Sequence, residues 1–127
     1  MRSLTAQEIL FFHHHLIVET GGLHEVRDLG PLEAACLRPD ARYREQAVFP
    51  GLFEKIAAMV DAIIRDHAFV DGNKRTGVGV AALLLSRNGF HLTATGDELG
   101  AFALSIAVDR PPRAQLASWL QSHSEGQ

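Results

Sequence analysis

Apolar residues recur at intervals of three and four along most of this chain, and that spacing predicts helices. Thr5 and Glu8 make a capping-box pattern ahead of the first such run, so a helix is expected from about Ala6 to Glu19, ended by Gly21-Gly22. Pro31 stands where a first helical residue would, and Leu32 to Leu37 reads as a short helix closed before Pro39. From Pro39 to Phe49 the chain is polar and lacks helical spacing, which suits a loop or a short hairpin. Pro50 opens the clearest helix: Leu52, Phe53, Ile56, Met59, Val60, Ile63, Ile64 and His67 share one face. After the loop FVDG, a helix is expected from about Lys74 to Arg87, with Asn88-Gly89 as its stop. Val78, Val80, Leu83, Leu84 and Leu85 make it apolar nearly all round, which predicts that it lies at the centre of the domain. Gly77 and Gly79 would let a neighbouring helix approach it closely. Thr95 and Glu98 form a second capping box for a helix through about Val108, and Pro111-Pro112 starts a last helix bearing Leu116, Trp119 and Leu120. Those three are most simply core residues, with a partner groove as the other reading. Few strand patterns are visible, so the expected fold is an all-α bundle around one buried central helix, with a short hairpin at most.

Composition narrows the class without changing that picture. The 127 residues suffice for one domain, 1–127, and no linker divides them. A net charge of −3 argues against direct nucleic-acid binding, which needs a basic face. The single cysteine, Cys36, excludes an internal disulfide and suits a reducing cytoplasm. No apolar run approaches a membrane span, and MRSLTAQEIL does not resemble a signal peptide.

The chemistry concentrates in HAFVDGNKRTG, residues 67–77. Lys74 and Arg75 fall at a helix N-terminus, where the helix dipole disfavours cations. An anion bound at that end resolves the conflict, and phosphate is the common one. Asp71 would repel it unless a divalent cation lies between, and Mg²⁺ is often held by one or two carboxylates plus substrate phosphates. His67 can accept a proton near neutral pH. Each residue also has a structural explanation: Asn73 as an N-cap, Asp71-Gly72 as a turn, Lys74 and Arg75 as a solvated face, His67 as the end of an apolar stripe. Only the combination points to a site. GNKRTGVG is not a Walker A loop, because Val78 and Gly79 replace its Lys and Ser/Thr.

The same stretch resembles the signature of the Fic/Doc family, His-x-Phe-x-Asp/Glu-Gly/Ala-Asn-Gly/Lys-Arg, at His67, Phe69, Asp71, Gly72, Asn73, Lys74, Arg75 and Thr76. Residues 16–39, LIVETGGLHEVRDLGPLEAACLRP, resemble the N-terminal half of the death-on-curing (Doc) toxins, and LFEKIAAMVDAIIRDH and LLLSRNG follow their pattern too. The resemblance implies a small α-helical bundle. It implies that His67 is the general base, that Asp71 coordinates Mg²⁺, that Gly72, Asn73, Lys74 and Arg75 hold the phosphates of ATP, and that Phe69 anchors the loop. Fic enzymes that transfer AMP carry Gly where this chain has Lys74 and a second Arg where it has Val78. On both counts the chain sides with Doc, which implies transfer of the γ-phosphate to a Ser/Thr hydroxyl of a translation factor, elongation factor Tu, by the toxin of a toxin–antitoxin pair. AMP transfer and a non-enzymatic binding module are the rival readings. No self-restraining Ser/Thr-x-x-x-Glu-Gly/Asn stretch is found, so restraint is expected from a Phd-type antitoxin.

Other candidates are weaker. His13, His14 and His15 cannot converge on one metal, since consecutive helical residues point about 100° apart. One is expected in the core and two in solvent, with His13 aligned to a Doc histidine that would line the cleft. HEVRD at His24 lacks the second His of the zinc motif, and Glu25 replaces a Gly common in Doc, which leaves Arg27 and Asp28 without a firm role. Tyr43, Arg44 and Phe49 fall either in a target-docking flap, as the resemblance implies, or in a plain surface loop.

Overall fold

Thr5 opens α1 (Ala6–Thr20) in the reciprocal manner its sequence predicts: its hydroxyl accepts the Glu8 N–H, and the Glu8 carboxylate accepts the Thr5 N–H. The computed structural model describes all of Met1–Gln127. Six helices, α1 and then α2 (Leu29–Leu37), α3 (Leu52–Asp66), α4 (Asn73–Arg87), α5 (Gly96–Asp109) and α6 (Arg113–Ser122), carry the fold. Thr95 and Glu98 cap α5 as Thr5 and Glu8 cap α1. The α2 helix begins earlier than Pro31 implied, because the Asp28 carboxylate accepts the Gly30 N–H at 3.0 Å and sets its first turn.

A different helix from the expected one occupies the centre. Nine successive residues of α3, Ile56–Ile64, are buried, and α2, α4, α5 and α6 all pack against it. The α4 helix is less enclosed: Leu83 is 38% exposed, and Lys74 and Arg87 face solvent. What hid the role of α3 is Asp61, a carboxylate within its buried run Ile56–Ile64. It is 3% exposed, with Arg65 Nε 2.8 Å from one oxygen and Arg113 Nε of α6 3.5 Å from the other. Burial pushes its carboxyl above the usual range, against the pull of the two guanidiniums.

The close approach anticipated at Gly77 and Gly79 occurs. A Cβ at Gly77 would meet the Ile64 side chain at 2.5 Å, and one at Gly79 would fall on the ring of Phe12. Leu116 and Leu120 are core residues, and Trp119 is stacked between Phe102 and His123.

Two small antiparallel pairs complete the chain. β1 (Arg42–Tyr43) and β2 (Gln46–Ala47) form the hairpin, turned by Arg44 and Glu45 at φ 50° and 67°. Tyr43 is exposed, whereas Phe49 beyond the hairpin is buried with the Arg113 guanidinium over its ring. β3 (Phe90–Leu92) pairs with β4 (Ser124–Gly126), a pairing the sequence did not suggest. No helix is long and apolar enough to cross a membrane.

Candidate active site

The loop between α3 and α4 is bracketed by two left-handed residues. His67 ends α3 at φ 50°, ψ 58°, and Gly72 opens α4 at φ 80°. Glycine suits the second position twice over: it adopts positive φ without strain, and a Cβ there would press on Ile17 at 3.1 Å. Within the loop Phe69 turns inward, 1% exposed, as an anchor.

Three separate segments hold this loop. From α4, Asn73 takes Phe69 by both backbone groups: its Oδ1 accepts the Phe69 N–H at 3.1 Å, and its Nδ2 donates to the Phe69 carbonyl at 2.8 Å. From α1, the His13 ring stacks on Phe69, centroids 3.8 Å apart, and its Nε2–H donates to the Asp71 carbonyl at 2.8 Å. From residues 25–28, the backbone forms a short antiparallel bridge, Val26 opposite Phe69, with the Arg27 N–H donating to the Ala68 carbonyl at 2.8 Å.

His13 is therefore the histidine of the triplet that enters the core, while His14 and His15 stay exposed. It lies beneath the motif loop, behind Phe69, and does not line the cleft. Burial lowers its pKa below the usual 6.5, opposed by its bond to Asp71.

Above the loop lies a cleft of about 240 Å³ lined by His67, Val70, Asp71, Gly72, Asn73, Lys74, Arg75 and Ala107. The six motif residues expected to act as base, metal ligand or phosphate ligands, His67, Asp71, Gly72, Asn73, Lys74 and Arg75, thus meet at one cavity, while Phe69 and Thr76 do not line it. Asp71 is its only carboxylate. One Asp71 oxygen accepts the Gly72 N–H at 3.0 Å, and the other accepts the Leu23 N–H at 3.3 Å. Gly22 makes that approach possible, because a Cβ there would sit 2.6 Å from the carboxylate. Arg75 Nη2 is 3.6 Å from Asp71, and its Nη1 donates to the Thr20 hydroxyl and, at 3.2 Å, to the Gly21 carbonyl. Lys74 is exposed and belongs to none of the ion pairs.

No side chain caps α4, so the N–H groups of its first turn lack a protein acceptor. Asn73 is thus not the N-cap its position suggested. Its amide is used on Phe69, and its backbone N–H is what remains for an anion. His67 is exposed, with its Nδ1 3.5 Å from Asn73 Nδ2. A contact that long does not fix which ring nitrogen carries the proton.

The sequence left Arg27 without a firm role. Its guanidinium donates to the carbonyls of Asp66 and His67, at 2.9 and 2.7 Å, and no local pattern announces contacts 40 residues apart.

Known proteins resemble the chain. The model of the Fic/DOC family matches residues 3–85. Toxin Doc of Mycolicibacterium smegmatis is 44% identical over 77 residues, 61% of this chain and 59% of that protein. Protein kinase doc of Escherichia phage P1 is 38% identical over 89 residues, 70% of each chain. The alignment thus spans less than two thirds of the first relative's length and somewhat more of the second's. The matched region contains α1 to α4 nearly whole, with the motif loop and all three segments that hold it, and on these grounds the chain belongs to the Fic/Doc family, on its Doc branch.

Proposed function

We propose that the protein is a Doc-type toxin that transfers the γ-phosphate of ATP to a Ser or Thr hydroxyl of a protein. The observation that carries this reading is the cleft itself, where an uncapped helix N-terminus, two cations, one carboxylate and an exposed histidine line the same space. Unpaired N–H groups with Lys74 and Arg75 suit the polyphosphate. The donor set also fits Mg²⁺, since a lone, half-exposed carboxylate beside a phosphate site is the usual protein share of such a centre. Asp71 would hold the ion, and the ion would offset phosphate charge. His67 would take the proton of the attacking hydroxyl as its oxygen bonds to the γ-phosphorus and the bond to the β–γ bridging oxygen breaks, releasing ADP.

The relatives' names support the class: one is named a toxin and the other a protein kinase. Within that class we assign a translation factor, elongation factor Tu, as the acceptor, the cytoplasm as the place, and a Phd-type antitoxin as the partner that restrains the activity. Lys74 favours phosphate over AMP transfer, because its side chain fills space that Gly leaves open at the corresponding place in AMP-transferring relatives.

The test is incubation of purified protein with a bacterial lysate and ATP labelled at either the α or the γ position. Label is expected in a protein band from γ-labelled ATP only, and His67→Ala should remove it, since a general base contributes roughly 10²–10⁴-fold. Transfer of α-label would establish AMP transfer instead. No transfer of either label would leave a binding module.

A further inference from the structure

Arg27 is exposed, yet its guanidinium meets no carboxylate. Its Nη2 donates to the Asp66 carbonyl at 2.9 Å and its Nε to the His67 carbonyl at 2.7 Å. Those carbonyls belong to the two peptide units on either side of the His67 Cα. A planar fork bound to both fixes the two backbone torsions of His67 together, and so fixes the direction of its Cα–Cβ bond.

That residue needs such a hold. His67 sits in the left-handed region at φ 50°, ψ 58°, which costs a non-glycine residue roughly 1–2 kcal/mol. It also ends α3, where the last carbonyls have no partner within the helix. Arg27 supplies that partner with a positive charge, matched to the negative end of the dipole. The backbone around it continues the hold. The N–H groups of Arg27 and Asp28 both donate to the Ala68 carbonyl, at 2.8 and 3.1 Å, and Glu25 accepts the Val70 N–H at 3.0 Å. Arg27 also borders a second, shallower cleft with His67, Phe69 and Val70.

We infer that Arg27 is a positioning residue for His67, holding its backbone so that the imidazole faces the cleft in one orientation. The inference rests on His67 being the base, and it concerns a group that touches no substrate. A plain helix cap would affect stability alone. A positioning residue also affects the rate of the chemical step while leaving nucleotide binding in place. Lysine cannot stand in, since a point charge does not span two carbonyls as the guanidinium fork does.

Arg27→Ala and Arg27→Lys are compared with wild type in γ-label transfer and in the ¹H–¹³C spectrum of the histidine rings, with the His67 signal assigned by its loss in His67→Gln. Both variants should lose roughly 10- to 100-fold in kcat, the scale of two charged hydrogen bonds, with KM for ATP within about 3-fold. The His67 Cε1–H signal should shift and broaden in both, and millimolar guanidinium should restore part of the rate of Arg27→Ala. An unmoved His67 signal in folded Arg27→Lys overturns the inference, as does a wild-type kcat in either variant. The spectrum reads the position of His67 without any turnover. If wild-type protein transfers no phosphate, it still decides the role of Arg27, and the failure then belongs to the assigned activity.

Discussion

Asn73 holds Phe69 by its N–H and its carbonyl at once, one buried amide closing a ring across the motif loop. Asn73→Asp keeps the shape but turns a donor into a charged acceptor facing the Phe69 carbonyl. The expected loss is roughly 1–3 kcal/mol, because a buried carbonyl is left unpaired beside a buried charge. Thermal melting checks it. An unchanged midpoint would mean that the loop does not depend on this amide.

His13 gives the loop a pH dependence. Its native pKa lies below 6.5, so the folded protein holds it neutral while the unfolded chain takes up a proton near 6.5. As pH falls below 6.5, stability should therefore decline, and it should stop declining on this account once pH passes the lowered native value. His13→Gln should remove that component. The check is the change in melting midpoint from about pH 7.5 to about pH 5, compared between variant and wild type so that the other histidines cancel.

Asp71→Asn separates the metal from the fold. The pair with Arg75 is 3.6 Å long and open to solvent on both sides, and such pairs contribute under about 1 kcal/mol. Asn can still accept one of the two backbone N–H groups that Asp71 holds, so melting should reflect a loss of about 1 kcal/mol at an exposed site. In titration calorimetry, Mg²⁺ should strengthen ATP binding by wild type and not by the variant. An equal Mg²⁺ effect in both proteins would assign the ion to another ligand.

Lys74→Ala should move two quantities in opposite directions. Removing an unpartnered cation from the start of α4 should raise stability by a few tenths of a kcal/mol. ATP affinity and γ-phosphate transfer should both fall with the loss of a charge-assisted contact. Wild-type ATP affinity in this variant would make Lys74 an ordinary surface residue.

What the sequence discloses is local. Thr5–Glu8 and Thr95–Glu98 sit three residues apart, and both capping boxes are formed. His67 and the residues from Val70 to Arg75 lie close in the chain as well, and they line one cleft. The rest depends on distant partners. Asp61 disguised α3 as a one-sided helix because Arg113, which joins Arg65 around its carboxylate, lies on α6. The β4 strand is Ser124-Glu125-Gly126, with no preference for sheet, and it forms only because Phe90–Leu92 offers an edge. Arg27 had no readable role, since its two acceptors are carbonyls that every residue possesses.

The family match ends at residue 85, yet α3 is also covered by α5 and α6, where Phe102, Ile106, Leu116 and Leu120 are buried. A chain cut after Leu85 would retain every motif residue and still leave a long apolar stripe of its central helix open to water. Such a fragment should aggregate rather than display a working site. The last third of the molecule acts as a roof, pinned to the helix beneath it where Arg113 meets the buried Asp61 carboxylate.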